Sequence, residues 1–283
     1  MLLREVEYAR PATVDEAVAL LAGYEGARAL AGGQTLVNVM KARAAAPEVL
    51  VDLDGLDELR QIGFSADGML EIGAMATYAQ IMASSEVEVA RPILAQVSST
   101  IGDVQVRNRG TIGGNVCVAD PTNHLPPLLV ALDATFTIRA QESERIASAD
   151  EFFVGVYMTA VGEGELLTKI GVRPSSGAGD GFSGLTVGKH GTYVANAAAT
   201  ISDEGVRIAL GCVGATPVRA TAMEERLGAG DFSEDGVRAA AEGLGASLDP
   251  PSDVHGSADY RRRLAEVSAV RAVLQAATAR KEH

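Results

Sequence analysis

The sequence predicts an α+β fold, and three observations carry that prediction. A strand, a glycine-rich turn, a helix and a second strand follow one another within residues 28–53, an order typical of a small α/β unit. A second glycine-rich turn lies far downstream, at residues 109–115. Beyond a stretch rich in glycine and serine at 174–181, which we predict to be a linker, the pattern changes to two strands and then three helical stretches. We therefore predict three domains, over residues 1–57, 58–175 and 176–283.

The first predicted domain begins with a helix and continues with the strand–turn–helix–strand unit. Thr13 and Glu16 have the spacing of a capping box, and Gly23 supplies a helix stop. The apolar run before the first glycine turn predicts a strand, and Thr35 opens the helix after it. In chain order we predict a helix over 17–22, a strand over 28–31, a helix over 36–43 and a strand over 49–53.

The second predicted domain mixes strands with helices, and the third opens with a hairpin. Pro126 and Pro127 indicate a loop before a short helix. For the second domain we predict strands over 69–73, 135–139 and 166–172, and helices from Thr77, over 92–101, over 128–132 and from Ser148. For the third we predict strands over 193–201 and 206–213, and helices over 220–227, 234–244 and 260–280.

Composition excludes several classes of function. The chain has 283 residues, of which 47% are hydrophobic and 22% charged, as in ordinary globular proteins. A net charge of −13 and the lack of a basic run argue against nucleic-acid binding. Without a signal-like start or a run of about 18 apolar residues, we expect a cytoplasmic chain with no membrane span. Cys117 and Cys212, the only cysteines, are too few to hold an iron–sulfur cluster.

The two glycine-rich turns are the strongest functional signal. Residues 31–35 read Ala-Gly-Gly-Gln-Thr, and residues 109–115 read Arg-Gly-Thr-Ile-Gly-Gly-Asn. Glycine lets a backbone approach a ligand closely, and successive free N–H groups form an anion site. Two such turns can hold the two phosphates of a dinucleotide, whereas either one alone is as readily a plain turn. Neither matches the G-x-G-x-x-G or phosphate-loop pattern, which disfavours a doubly wound fold.

These motifs resemble those of a known flavoprotein family. Segments 31–35 and 105–115 resemble the two flavin turns in the FAD-binding medium subunits of molybdenum hydroxylases. That family includes the carbon monoxide dehydrogenase medium subunit and the FAD domain of xanthine dehydrogenase. The likeness extends over nearly the whole chain, with further markers at 11–17, 46–53, 214–219 and 259–264.

The resemblance implies the fold of vanillyl-alcohol oxidase and para-cresol methylhydroxylase. In it, two N-terminal subdomains hold the FAD diphosphate, and a C-terminal domain with a three-stranded sheet and helices covers the flavin. It also implies an electron-transfer subunit in a dimer of heterotrimers, beside a small subunit with [2Fe-2S] clusters and a large molybdopterin subunit. Electrons would pass from the clusters through FAD to an external acceptor. The alternatives are a stand-alone FAD-dependent oxidase acting on a small alcohol, and a cofactor-free scaffold.

Residue by residue, the resemblance implies noncovalent FAD contacts, with no catalytic residue and no metal site in this chain. Covalent attachment in relatives of the fold usually needs His or Cys in the first turn, where Gln34 and Thr35 stand. Tyr193 falls near the aromatic residue that covers the isoalloxazine ring, with plain core packing as the alternative. The implied cofactor-binding residues are Ala29, Leu30, Ala31, Gly32, Gly33, Gln34, Thr35, Leu36, Ile101, Gly102, Val106, Thr111, Gly113, Gly114, Asn115, Asp120, His124, Leu166, Lys189 and Tyr193.

The chain departs from the family pattern at two places. His124 stands where family members usually carry Asp, and Asp120 is the candidate to replace that contact. For His124 we keep three interpretations, an exposed loop residue, an adenosine contact and a catalytic acid. Gly184 and Leu185 stand where a basic residue is usual, and Lys189 is the candidate substitute.

Arginines near the second turn and in the last helix also have two interpretations each. Arg107 and Arg109 are either surface cations or groups that help to neutralise phosphate. Residues 261–263, all arginine, form either a solvated helix face or a partner contact. The apolar stripe of the last helix predicts core or subunit packing rather than a cofactor contact.

Overall fold

The computed structural model describes residues 3–188, 192–228 and 230–282. Lys189 and His190 lie outside these ranges, so the part of Lys189 in the site stays a prediction. Within them the chain forms three main sheets flanked by helices, the α+β class that the sequence predicts. The domain boundaries near residues 57 and 175 stay predictions.

A parallel three-stranded sheet forms the N-terminal part of the chain. Its elements are β1 (Glu7–Ala9), α1 (Val14–Gly23), β2 (Ala27–Leu30), α2 (Leu36–Lys41) and β3 (Val49–Asp52). The predicted cap starts α1, because the Thr13 hydroxyl accepts a hydrogen bond from the Glu16 N–H at 3.1 Å. Strand β3 lies between β1 and β2 and is buried along its whole length. Since parallel strands end at one edge, β2 delivers the first glycine turn to the carboxyl edge of this sheet.

An antiparallel five-stranded sheet forms the middle of the chain. Its strands are β4 (Ile62–Phe64), β5 (Leu70–Gly73), β6 (Thr135–Arg139), β7 (Glu144–Ser148) and β10 (Leu166–Val172), with a separate hairpin of β8 (Phe153–Gly155) and β9 (Met158–Thr159). The strand order is β4–β5–β10–β6–β7. The central strand β10 is therefore paired on both sides, and its residues Ile170 and Val172 are fully buried in the core.

Seven helices accompany this middle sheet. They are α3 (Tyr78–Ala83), α4 (Ser85–Ala90), α5 (Pro92–Ser99), α6 (Val104–Arg109), α7 (Ile112–Val118), α8 (Leu125–Ala131) and α9 (Ala149–Phe152). The second glycine-rich segment begins α7, so the expectation of an open turn there is wrong. Pro126 and Pro127 belong to the first turn of α8 and not to a loop, because that turn needs no N–H donor from them.

An antiparallel four-stranded sheet forms the C-terminal part. Its strands, in both chain and sheet order, are β11 (Gly179–Thr186), β12 (Tyr193–Ser202), β13 (Gly205–Gly211) and β14 (Val218–Arg219). The predicted hairpin is confirmed, with Ser202 opposite Gly205 at its tip. The two-residue strand β14 adds a short fourth strand to the expected three. The helices are α10 (Thr221–Leu227), α11 (Glu234–Ala241) and α12 (Ala258–Glu282).

Two glycines of the predicted linker serve close packing of α12 on β11. A Cβ on Gly179 would lie 2.1 Å from the Ala276 carbonyl oxygen, and one on Gly181 would lie 2.0 Å from that of Ala272. The linker interpretation is therefore wrong from Gly179 onward, where β11 begins. The apolar side of α12 packs in the C-terminal core, largely through alanines. Within the described ranges no helix, α12 included, combines the length and apolarity needed to cross a bilayer.

Candidate functional site

The structure brings the two glycine-rich segments into direct contact. A Cβ on Gly32 would lie 2.0 Å from the carbonyl oxygen of Arg109, so only glycine allows the first turn this approach. A Cβ on Gly114 would lie 3.7 Å from the Cβ of Ala31, an ordinary contact distance. The exposed Arg109 side chain lies 3.8 Å from the Asp54 carboxylate, which makes it a surface cation. The segments thus form one site beside the N-terminal sheet.

The first turn offers a row of unbonded backbone donors. In the described parts of the chain, no acceptor takes a hydrogen bond from the N–H groups of residues 32–35. Gly33 has a φ of +70°, in the left-handed region that favours glycine. Residues 32–34 are half-buried, and unbonded N–H groups in such a position cost free energy unless water or an anion accepts from them. The turn therefore has the donor set of an anion site.

Of residues 110–115, all but Thr111 donate their N–H groups to acceptors within the protein, and the Thr111 N–H has no acceptor among the described residues. Those of Ile112 and Gly113 donate to carbonyl oxygens in the loop after β5, at 3.0 Å and 2.9 Å. The Thr111 hydroxyl caps α7 by accepting from the Gly114 N–H at 3.1 Å, and the Asn115 N–H donates within the same turn. The prediction that both turns present free N–H groups is therefore wrong for the glycines of this segment.

Asn115 leaves one buried polar atom of the second segment without a partner. Its Oδ1 is buried and accepts no hydrogen bond within the described residues, while its Nδ2 donates to the Tyr78 hydroxyl at 3.0 Å. Burial raises the pKa of Tyr78 to about 12, so this phenol stays protonated near neutral pH. A ligand N–H or O–H would satisfy Oδ1. No sequence motif indicates Tyr78, whose contact with Asn115 depends on the packing of α3 near α7.

The loop between α5 and α6 is fixed by its own residues. The Arg107 guanidinium donates to the carbonyl oxygens of Ile101 at 3.1 Å and Gly102 at 2.8 Å, so it stabilises the loop rather than serving as a free cation. Gly102 has a φ of +52°, and a Cβ there would lie 2.8 Å from the Val106 Cβ. Glycine thus allows Val106 to pack against the loop that the resemblance places along the flavin.

Tyr193 lies in an aromatic cluster at the start of β12. Its ring meets the His124 ring edge-on with centroids 4.5 Å apart, and it meets the Phe182 ring at 5.8 Å. A Cβ on Gly184 would lie 2.7 Å from the Tyr193 ring. A basic side chain at position 184 is therefore incompatible with this position of Tyr193. Burial raises the pKa of the Tyr193 phenol.

His124 is half-buried at the N-cap position of α8 and is not an exposed loop residue. Burial lowers its pKa to about 4, so its imidazole is neutral at pH 7. A neutral ring packs edge-on against Tyr193 without bringing a charge into the cluster. Contact with adenosine stays a prediction for His124, and its low pKa argues against a cationic acid.

We expect His124 to destabilise the folded chain as the pH falls from about 6.5 to about 4. Because the pKa of His124 is lower in the folded state, the unfolded chain binds the proton first as the pH falls. The resulting loss of folding stability is absent above about pH 6.5 and complete below about pH 4. At about 1.4 kcal/mol per pKa unit, it amounts to at most about 3.5 kcal/mol. The measurement is the free energy of unfolding in urea, at stepped pH, for the wild type and His124→Gln. Identical pH profiles of the two proteins would contradict this expectation.

Two other predicted site residues have clear surroundings. The Asp120 carboxylate accepts from the N–H and hydroxyl of Thr122 at 2.9 Å and 2.7 Å, and from the Tyr157 hydroxyl at 3.3 Å. Leu166 is buried in the N-terminal core, where Ala29 and Ala31 also pack in part. Cofactor contacts by these residues stay predictions. Among the residues that the structure describes, no three His, Cys, Asp or Glu side chains are grouped as a metal site requires.

Two family models match the chain along most of its length. The model of the FAD-binding domain in molybdopterin dehydrogenase matches residues 4–174. This chain belongs to that family. The model of the CO dehydrogenase flavoprotein C-terminal domain matches residues 191–276. The resemblance seen in the sequence is confirmed, and the chain is an FAD-binding oxidoreductase subunit of the molybdopterin dehydrogenase family.

Similar proteins align with it almost end to end. The carbon monoxide dehydrogenase medium chain of Hydrogenophaga pseudoflava is 37% identical over 288 positions, covering 99% of each chain. The glyceraldehyde dehydrogenase medium chain of Sulfolobus acidocaldarius is 34% identical, covering 96% of this chain and 99% of the other. A solved chain of quinoline 2-oxidoreductase from Pseudomonas putida has a TM-score of 0.93 at 34% identity, with 98% and 99% covered. The predicted fold is thereby confirmed.

The residues of this FAD-binding subunit fit the diphosphate of the cofactor. The free N–H groups of residues 32–35 supply donors without a lysine, as a backbone anion site does. The Thr111 hydroxyl accepts from Gly114 and keeps its own proton for a ligand oxygen. Gly32 lets the turn lie against the Arg109 backbone, and Gly33 lets it take a left-handed φ, so the two glycines allow the backbone course that presents these N–H groups.

Proposed function

We propose that this chain is the electron-transfer subunit of a multi-subunit molybdenum hydroxylase or dehydrogenase. When bound, FAD supplies reversible electron transfer, which would link iron–sulfur clusters to an external acceptor. The proposed partners are a small [2Fe-2S] subunit and a large molybdopterin subunit, in a cytoplasmic dimer of heterotrimers. The observation that carries the proposal is the row of free N–H groups at residues 32–35, which packs against the second glycine-rich segment.

Each part of the site has its own task in this proposal. The N–H groups of residues 32–35 hold the diphosphate, the Thr111 hydroxyl supplies a donor beside it, and Asn115 Oδ1 accepts from a hydroxyl or N–H group of the cofactor. Asp120 binds a ribose or adenine group. Tyr193 covers the flavin ring and limits its exposure to water. None of these groups has to move a proton at a substrate, so we assign no catalytic residue to this chain.

The diversity of the relatives supports the separation of flavin site and substrate site. Full-length relatives of similar identity are named for carbon monoxide, glyceraldehyde and quinoline. A subunit that occurs in enzymes named for such different substrates is suited to a step that those enzymes have in common. We therefore propose that the substrate binds the large subunit. Candidate substrates are carbon monoxide, purines, N-heterocycles and aldehydes.

Purification of the tagged chain from its native cells tests this proposal. We expect about one FAD per chain by visible absorbance, with iron and molybdenum in the two co-purified subunits. The flavin of the complex should be bleached anaerobically by one of the candidate substrates, while the flavin of the isolated chain stays oxidised with the same compounds. Oxidation of a small alcohol by the isolated chain would favour the stand-alone oxidase. A colourless chain that refuses added FAD would refute a flavin function altogether.

A further inference from the structure

Arg261 lies at the start of α12, and unlike its neighbours it is buried. Its side chain is 3% exposed, while that of Arg263 is 75% exposed. The interpretation of residues 261–263 as one solvated face is therefore wrong for Arg261. A buried guanidinium needs partners for its donors, because leaving a charge unpaired in the interior costs several kcal/mol.

The partners of Arg261 are one carboxylate and two backbone carbonyls. Its Nη2 donates to both oxygens of Asp253, at 2.8 Å and 2.7 Å. Its Nη1 donates to the carbonyl oxygen of Val194 at 2.6 Å and lies 3.4 Å from that of Cys212. The Asp253 carboxylate also accepts from the N–H of His255 at 2.8 Å, so the turn before α12 holds it in place. The Arg261 guanidinium lowers the pKa of that carboxyl, which keeps the pair charged.

One carbonyl belongs to the residue after Tyr193, and the other belongs to a residue bonded to the loop before His124. Val194 follows Tyr193 directly, so a bond to its carbonyl fixes the backbone that carries the Tyr193 ring. Cys212 has a φ of +66°, and its N–H donates at 3.1 Å to the carbonyl oxygen of Pro121, in the loop that leads to His124. One guanidinium thus bridges the supports of both rings, which lie 4.5 Å apart.

We infer that Arg261, held by Asp253, is a positioning residue that sets the packing of Tyr193 against His124. This inference rests on the proposed function only for the position of Tyr193 over the flavin. The ring geometry itself can be read without cofactor. If Arg261 had a purely structural role, its replacement would lower the stability of the fold and leave the ring pair of the folded protein unchanged.

The test compares purified full-length Arg261→Met with Arg263→Met. Both substitutions remove one cation from the same helix, but Arg263 is exposed and pairs with Glu266 across one turn. The first readout is the ring-proton resonance of His124 in histidine-labelled protein, assigned by its loss in His124→Gln. Because Tyr193 meets His124 edge-on, its ring current shifts that resonance, and Tyr193→Ala gives the unshifted position.

We expect the His124 resonance to move toward its Tyr193→Ala position in Arg261→Met and to stay in place in Arg263→Met. If Arg261→Met does not fold, Asp253→Asn replaces it, since the asparagine oxygen still accepts from the turn while the ion pair and one of the two hydrogen bonds with Arg261 are lost. In that variant we expect a smaller shift in the same direction. An unmoved resonance in a folded variant, or an equal shift in Arg263→Met, would overturn the inference.

The second readout is the fluorescence of bound FAD, which stacking by Tyr193 would quench. We expect it to rise severalfold in Arg261→Met and to keep its wild-type value in Arg263→Met. Should the wild type bind no FAD, the proposed function fails while the resonance still decides the inference. Unchanged fluorescence together with a shifted resonance would leave Arg261 as a positioning residue and remove Tyr193 from the flavin site.

Discussion

Replacement of Gly32 by alanine is expected to abolish FAD retention by the purified chain. The added Cβ would lie 2.0 Å from the Arg109 carbonyl oxygen and 3.0 Å from the Gly110 Cα. Both neighbours are backbone atoms, so the first turn and the second segment must move apart. That movement displaces the row of N–H donors at residues 32–35, on which we propose the diphosphate rests.

The ratio of FAD to protein after gel filtration measures this effect. The matched control is Gly63→Ala, because a Cβ at Gly63 in β4 would meet nothing within 4 Å. We expect the control to keep its flavin and to change stability by no more than about 0.5 kcal/mol. Wild-type flavin content in folded Gly32→Ala would show that the contact between the turns is not needed for binding.

Valine at Gly33 or Gly114 should also remove the flavin, for two different reasons. Gly33 has a φ of +70°, which a β-branched residue adopts only with strain. A Cβ on Gly114 would lie 2.9 Å from the Thr111 hydroxyl oxygen and disturb the cap of α7. Absorbance of each purified variant after incubation with FAD is the measurement, and near-normal flavin content in both would contradict this description of the site.

Arg91→Met is expected to cause the largest loss of stability of any single substitution discussed here. The Arg91 guanidinium donates to both oxygens of Asp180, at 2.7 Å and 2.8 Å, and to the Arg173 carbonyl at 2.7 Å. The two paired side chains are only 6% and 7% exposed, and the pair joins the start of α5 to β11. Methionine would leave Asp180 as a buried charge whose one remaining side-chain donor among the described residues is the Thr200 hydroxyl, at a cost of about 3–5 kcal/mol.

Urea unfolding followed by circular dichroism gives the free energies for this comparison. Arg238→Met is the matched control, because Arg238 pairs with Glu234 along one exposed helix face, where the pair contributes about 0.3–0.5 kcal/mol. The double variant Arg91→Met with Asp180→Asn should recover part of the loss, since it removes the unpaired charge. A loss below about 1 kcal/mol in Arg91→Met would mean that Asp180 is solvated without its partner.

Local signals predicted most helices and strands, and contacts between distant residues decided the rest. The cap at Thr13, the capping box of Thr77 with Gln80 and the hairpin after β12 are all encoded within a few residues. The helix α7 is different, because paired glycines disfavour a helix. It forms since Thr111 caps it and the loop after β5 accepts two of its N–H groups.

The sequence indicates the two glycine-rich segments but not the contacts that they make. The sequence indicates that Gly32 is a turn residue. Glycine is required there because the turn lies against the Arg109 backbone, a contact that only the fold creates. Gly181 was assigned to a linker, although it packs against α12. Tyr193 was placed correctly on a strand, but its pairing with His124 joins residues far apart in sequence. Such pairings leave no periodic trace that a single sequence could reveal.

A crystal structure of the chain grown with FAD tests most directly whether the first turn holds the cofactor. We expect the diphosphate oxygens within about 3 Å of the backbone nitrogens of residues 32–35, with Gly32 still against Arg109. FAD bound with its diphosphate elsewhere, and those N–H groups donating to water, would contradict the proposed site.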